Sequence, residues 1–151
     1  MRIRGTSARR ARGRRTGAAA AELALILPLL VTVVLACVDF GRFAYNYIAL
    51  ANAARAGAAY GIMNNYTPST QSSWVSGITQ AAKDEMTQQV GSGNIGNMQV
   101  TVTPVTDSNG LHRVRVQASY PFTTLINWQW VGLGLPNNLT MKQQAEMRLI
   151  R

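Results

Sequence analysis

The stretch Leu23-Ala24-Leu25-Ile26-Leu27-Pro28-Leu29-Leu30-Val31-Thr32-Val33-Val34-Leu35-Ala36-Cys37-Val38 contains no charged side chain. Extended to both sides, Ala18 to Gly41 is apolar apart from Glu22, Thr32 and Asp39. At a helical rise of about 1.5 Å per residue these residues make a rod about 36 Å long, enough to cross a hydrocarbon core of about 30 Å. Pro28 lies inside the run and removes one helix hydrogen bond, so a kink is expected between Ala24 and Pro28.

Immediately before the run the chain is basic. Arg2, Arg4, Arg9, Arg10, Arg12, Arg14 and Arg15 precede residue 16 with no acid among them. The formal charge of the whole chain is +9, yet residues 16 to 151 carry eight Lys or Arg against six acids. The basicity therefore belongs to a leader and not to a folded surface, which argues against nucleic-acid binding. An Arg-rich flank ahead of an apolar segment holds that end in the cytoplasm. Residues 1 to 17, rich in Arg, Gly, Ala, Ser and Thr, bury little and are expected to be disordered.

Beyond Asp39 no turn signal intervenes. Phe40, Phe43, Ala44, Tyr47, Leu50, Ala51, Ala54 and Ala58 follow the i, i+3, i+4 spacing of one helical face, while Arg42, Asn46, Asn52 and Arg55 interrupt the others. The helix is thus expected to continue to Ile62. Ala and Gly dominate Ala49 to Gly61, which lets a neighbouring element approach the backbone closely.

Asn64, Asn65, Thr67, Pro68 and Ser69 break this helix, and the spacing of Trp74, Val75, Ile78, Ala81, Ala82, Met86 and Val90 predicts a second over Ser72 to Val90. After the Gly- and Asn-rich stretch from Gly91 to Asn97 the period becomes two. Met98, Val100, Val102 and Pro104 alternate with polar residues, as do Val114, Val116, Ala118 and Tyr120. Asp107-Ser108-Asn109-Gly110 supplies a hairpin turn between them. Pro121 is expected to end the returning strand, and Leu139, Met141, Gln143, Ala145, Met147 and Leu149 alternate in a third. The fold class is therefore α+β: a long transmembrane and amphipathic helix packed on about three antiparallel strands, with a shorter second helix. The expected organisation is a basic leader over 1–17, the helix over 18–62 and an extracytoplasmic domain over 63–151. With 151 residues there is room for one small domain beside a membrane segment.

The segment Thr16-Gly17-Ala18-Ala19-Ala20-Ala21-Glu22-Leu23-Ala24-Leu25-Ile26-Leu27-Pro28-Leu29-Leu30 resembles the opening of TadE-like pseudopilins. A Gly is followed five residues later by Glu and then by an apolar run containing Pro. Val38-Asp39-Phe40-Gly41-Arg42 and Asn52-Ala53-Ala54-Arg55-Ala56-Gly57-Ala58 extend the likeness, which covers about residues 14 to 61. Asp39 stands where Glu is common, and Ala59 where a second Arg often follows the Gly. The closing Ala145-Glu146-Met147-Arg148 is similar to the family's last strand.

The resemblance implies a minor pilin of a tight-adherence (Flp-type) pilus system, a type IV pilus machine that serves adhesion. A prepilin peptidase would cut between Gly17 and Ala18, leaving the helix as the new N-terminus. Gly17 carries no side chain to obstruct a protease cleft. Glu22 lies within about one helical turn of the ammonium made at Ala18, and its carboxylate favours a helix N-terminus. Because an unpaired acid deep in a membrane helix costs about 2.5 to 3.5 kcal/mol, Glu22 should seek a positive partner, by resemblance the amine of a neighbouring subunit. The likeness also implies helix-packing roles for Asp39, Arg42, Asn52, Arg55 and Gly57. The implied partners are the prepilin peptidase, the major Flp-type pilin, other TadE-, TadF- or TadG-like minor pilins, the inner-membrane assembly platform and the lipid bilayer. The implied location is a single pass through the bacterial inner membrane, N-terminus inside, with possible incorporation in the pilus.

A different reading starts from Val34-Leu35-Ala36-Cys37, which roughly resembles a lipobox; Cys37 would then be the lipidated first residue of an anchored extracytoplasmic binding protein unrelated to pili. Leu35 fits that pattern poorly, and the helical period runs on past Cys37. A lone Cys in an apolar helix otherwise serves as a small packing residue. No enzyme is expected, and no cofactor or metal. His112 is the only histidine and has no second ligand at metal spacing. Asp84 and Glu85 are adjacent on a helix and point apart, and no serine sits in a nucleophile motif. Trp74, Trp128 and Trp130 are expected to fill the core or an interface.

Overall fold

The computed structural model describes residues 10–92, 95–106, 112–129, 132, 134 and 136–148, with side chains from Gly17 onward. The chain divides into two units, Met1–Phe40 and Gly41–Arg151. In order, its elements are α1 (Arg10–Met63), α2 (Gln71–Val90), a 3-10 turn (Ile95–Asn97), β1 (Gln99–Thr106), β2 (His112–Thr123) and β3 (Asn138–Arg148).

The helix starts at Arg10, inside the segment expected to be disordered. Arg and Ala rank among the strongest helix formers, so residues 10 to 16 extend α1 although they have little to bury. Within the first unit the apolar side chains from Leu23 to Val38 face outward: Leu25 is 81% exposed and Leu29 66%. Each side chain of this size gives up about 1.5 to 3 kcal/mol when left in water, so this part of α1 calls for an apolar surrounding. Over Gly17–Met63 the helix is long and apolar enough to cross a membrane. At Pro28 the helix has no N–H for the carbonyl of Ala24. One turn on, Thr32 Oγ1 donates to the Pro28 carbonyl at 2.8 Å.

The second unit has one sheet in the order β1-β2-β3, antiparallel throughout. The register sets Val100 opposite Ala118, Val102 opposite Val116, Ala145 opposite Val116 and Met141 opposite Tyr120. One face thus carries the apolar residues. On the other, Arg115 stands opposite Glu146 and Gln117 opposite Gln144. An antiparallel sheet with one dry and one wet face shows this alternation.

Pro121 does not end β2, as had been expected, and the strand runs on to Thr123. β1 begins at Gln99, opposite Ser119, so beyond that point β2 has only β3 as a described neighbour. A residue without an N–H interrupts no ladder on the free side, which is where strand prolines are accepted. The extension brings Phe122 into the core. β1 likewise runs past Pro104 to Thr106, as an edge strand can. The expected hairpin turn at 107–110, Leu149 and Trp130 lie outside the described residues.

Two clusters form the core. In one, Ala49, Leu50, Ala53 and Ala54 of α1 meet Ala82 and Met86 of α2 and Ala118, Tyr120 and Phe122 of β2. In the other, Ala58 meets Trp74, Ile78, Val114 and Val116. α1 therefore packs against both α2 and the sheet, and its small residues permit the close approach. α2 stops at Gly91, whose φ of 79° is open to glycine at little cost, and the Gly91 N–H donates to the Thr87 carbonyl at 2.9 Å.

Candidate functional site

The residues singled out in the sequence all lie on α1, but in different surroundings. Gly17, Ala18 and Glu22 are exposed. A Cβ placed on Gly17 would meet nothing within 4 Å. Gly17 is helical here, so a protease that needs extended substrate would have to unwind this turn. Asp39 is the one charged residue found buried among those described, at 5% exposure.

Further along, the side chains serve the second unit. The Arg42 guanidinium lies over the Phe122 ring, 5.4 Å from its centroid, a cation–π arrangement. Phe43 meets the same ring edge-on at 5.5 Å and stacks on Tyr47 at 6.0 Å. Asn46 Nδ2 donates to the Arg42 carbonyl at 2.8 Å. Asn52 Nδ2 donates to Gln89 Oε1 at 3.4 Å, while the Gln89 amide donates to the Glu85 carboxylate. The Tyr45 hydroxyl donates to the Gln89 carbonyl. Tyr45 and Gln89 thus link α1 to α2, and sequence reading had given neither a role. Arg55 is exposed. An open groove of about 490 Å³ lies among Arg42, Tyr45, Asn46, Gln89 and Tyr120.

At Gly57 and Gly61 α1 comes close to its neighbours. A Cβ on Gly57 would stand 3.2 Å from the Ala82 Cβ and 3.2 Å from the Ile78 carbonyl oxygen. One on Gly61 would stand 3.0 Å from both Ile78 Cδ1 and Val114 Cγ1. Any side chain at Gly57 would push against backbone. The end of α1 is closed by Trp74, whose indole N–H donates to the Gly61 carbonyl at 3.1 Å while its ring stacks on Tyr66 at 4.3 Å.

Among the described residues the groups that could do chemistry do not converge. Asp84 accepts from Gln80 at 2.8 Å and Glu85 accepts from Gln89, each along its own helix side. His112 is exposed and pairs with Thr106 at 3.3 Å across the hairpin. Among the described residues no three His, Cys, Asp or Glu side chains could hold a metal ion together. On the wet sheet face Glu146 bridges Arg115 at 3.0 Å and Arg113 at 3.2 Å. Hydrogen bonds from Arg115 first, and from Arg113 next, hold its carboxyl below the usual range.

Compared with known proteins, residues 17–59 match the family described as TadE-like protein. No curated protein and no solved structure matches the chain. The matched segment begins at Gly17 and runs through Asp39, Arg42, Asn52, Arg55 and Gly57.

Proposed function

From a chain that is TadE-like over residues 17–59, we propose a minor pilin of a Tad (Flp-type) pilus that is cut between Gly17 and Ala18 and serves in pilus assembly. The match points to a Tad pilus-associated protein, and that family is structural, not enzymatic. The observation that carries the reading is the coincidence, on one helix, of the matched segment with an outward-facing apolar surface from Leu23 to Val38.

In this reading residues 1–17 are a leader that holds the N-terminus in the cytoplasm until a prepilin peptidase removes it. The helix then keeps the protein in the inner membrane, and Glu22 pairs with the amine of a neighbouring subunit and sets the register of a priming or tip complex. The residues from 63 onward, with the outer part of α1, form the extracytoplasmic domain that meets other minor pilins and the major pilin. Support for close helix packing in that domain comes from Gly57, where a Cβ would stand 3.2 Å from the Ile78 carbonyl oxygen of α2, tighter than an ordinary contact.

The test is the intact mass of the native protein. Loss of residues 1–17 is expected. A chain beginning at an acylated Cys37 would instead identify an anchored lipoprotein, and an uncut chain a plain membrane anchor; either result sinks the processing step.

A further inference from the structure

We infer that the stretch from Arg42 to Ile48 lies in the phospholipid headgroup layer on the extracytoplasmic side, and that Tyr47 and Ile48 dock against lipid and not against protein. This rests on the reading of α1 as a membrane helix, and adds a docking surface with a lipid occupant.

The helix supplies a ruler. Glu22 and Arg42 are twenty residues apart on α1, which at about 1.5 Å per residue spans about 30 Å, the thickness of a hydrocarbon core. Between them the only charged residue is Asp39, and it is buried. With Glu22 at one boundary, Arg42 falls at the other. A headgroup layer of about 5 to 7 Å then covers the next four or five residues, Phe43 to Tyr47, and Ile48 reaches its outer edge.

The side chains there suit that layer. Ala49 and Leu50 turn inward and are fully buried, whereas Tyr47 is 45% exposed and Ile48 59%. Ala44, Tyr47 and Ile48 share a face at i, i+3 and i+4 that neither core cluster covers. The exposed large apolar residues are Leu, Ile and Val before Asp39, whereas the turns just after it expose the aromatic rings of Phe40, Tyr45 and Tyr47 beside Ile48. Aromatic rings with a polar tip collect at membrane–water interfaces, and an Arg at the boundary attracts lipid phosphate. The groove bordered by Arg42, Tyr45 and Asn46 opens on the same two turns, with room for a headgroup.

Spin labelling of the full chain tests this. In a Cys37→Ala background, single cysteines at Val34, Ile48 and Arg55 carry a nitroxide in phosphatidylethanolamine–phosphatidylglycerol vesicles at low protein-to-lipid ratio. Collisions with oxygen and with a water-soluble nickel chelate report depth. The Val34→Cys label should sit in hydrocarbon, Ile48→Cys at the outer edge of the headgroups, about 22 to 24 Å from the bilayer centre, and Arg55→Cys in water. Should Ile48→Cys match Arg55→Cys in nickel collisions while Val34→Cys stays deep, the headgroup placement is wrong and the membrane helix stands. If Ile48→Cys is shielded from both agents, protein covers the face and the lipid occupant is wrong. Nickel access at all three positions overturns the membrane reading itself.

Discussion

The indole N–H of Trp74 in α2 reaches the carbonyl of Gly61 in the last turn of α1, 3.1 Å away and out of contact with water. The last carbonyls of a helix have no partner within it, and a buried one left alone is costly. Trp74→Phe keeps a ring against Tyr66 but removes the donor, and should lower unfolding free energy by about 1 to 3 kcal/mol. Denaturant unfolding of the detergent-solubilised chain measures it. No change in midpoint would mean that another donor serves Gly61.

Gly57 and Gly77 should respond in opposite senses to the same substitution. At Gly77 a Cβ would come within 2.5 Å of Tyr60 Cε1, nominally the worse overlap, but Tyr60 is 37% exposed and its ring can swing outward. The α2 helix then gains, because Ala is favoured over Gly in helices by about 0.5 to 1 kcal/mol. At Gly57 the obstacle includes the Ile78 carbonyl oxygen, which cannot move without bending α2. Gly57→Ala should therefore destabilise despite its better propensity, and Gly57→Val should cost about 1 to 3 kcal/mol. Thermal melts of the two alanine variants side by side decide the matter, and equal shifts would contradict it.

The carboxylate of Glu146 is shared by Arg115 and Arg113 on the wet face of the sheet. Because its folded pKa lies below the unfolded one, its contribution to stability is present above the ordinary Glu value of about 4.3 and is lost as pH falls through the folded value. Glu146→Gln should melt below the parent at pH 7, and the gap should close as pH drops below about 4. The side chain is 28% exposed, so the gap should also narrow in high salt. A difference that persists unchanged at low pH would assign it to packing.

Processing and assembly should separate genetically. Gly17→Trp places a large ring beside the proposed scissile bond and is expected to leave the leader attached, visible as a slower band on a gel. Glu22→Ala lies five residues on and should allow cutting while pilus yield falls. Normal piliation by both variants would remove the roles proposed for these two residues.

Much of this fold could be read from periodicity. Val100 and Val102, then Val114, Val116, Ala118 and Tyr120, then Met141, Ala145 and Met147 alternate in sequence and share one face in the structure, and Met98 joins the core just ahead of β1. The likeness of residues 17–59 to TadE-like proteins was legible from Gly17, Glu22, Pro28 and the apolar run. Other features were hidden for physical reasons. The seam of Tyr45, Asn52, Gln89 and Glu85 is made by polar side chains, which leave no periodic trace. Phe122 was missed because a proline normally ends a strand, and only the register shows that β1 does not extend alongside Pro121. The Glu146 bridge likewise needs the pairing of β2 with β3 before its charges can be matched.

Each strand of the β1-β2-β3 sheet pairs with the one beside it in the chain, so closing the sheet never joins distant parts of the polypeptide. Short loops cost little entropy to close, and local topologies fold quickly. The stretch from α2 to β3 can therefore assemble quickly and by itself. The seam with α1 is the slower, longer-range event, and the step at which a chain with no cysteine beyond residue 37 depends wholly on side-chain fit.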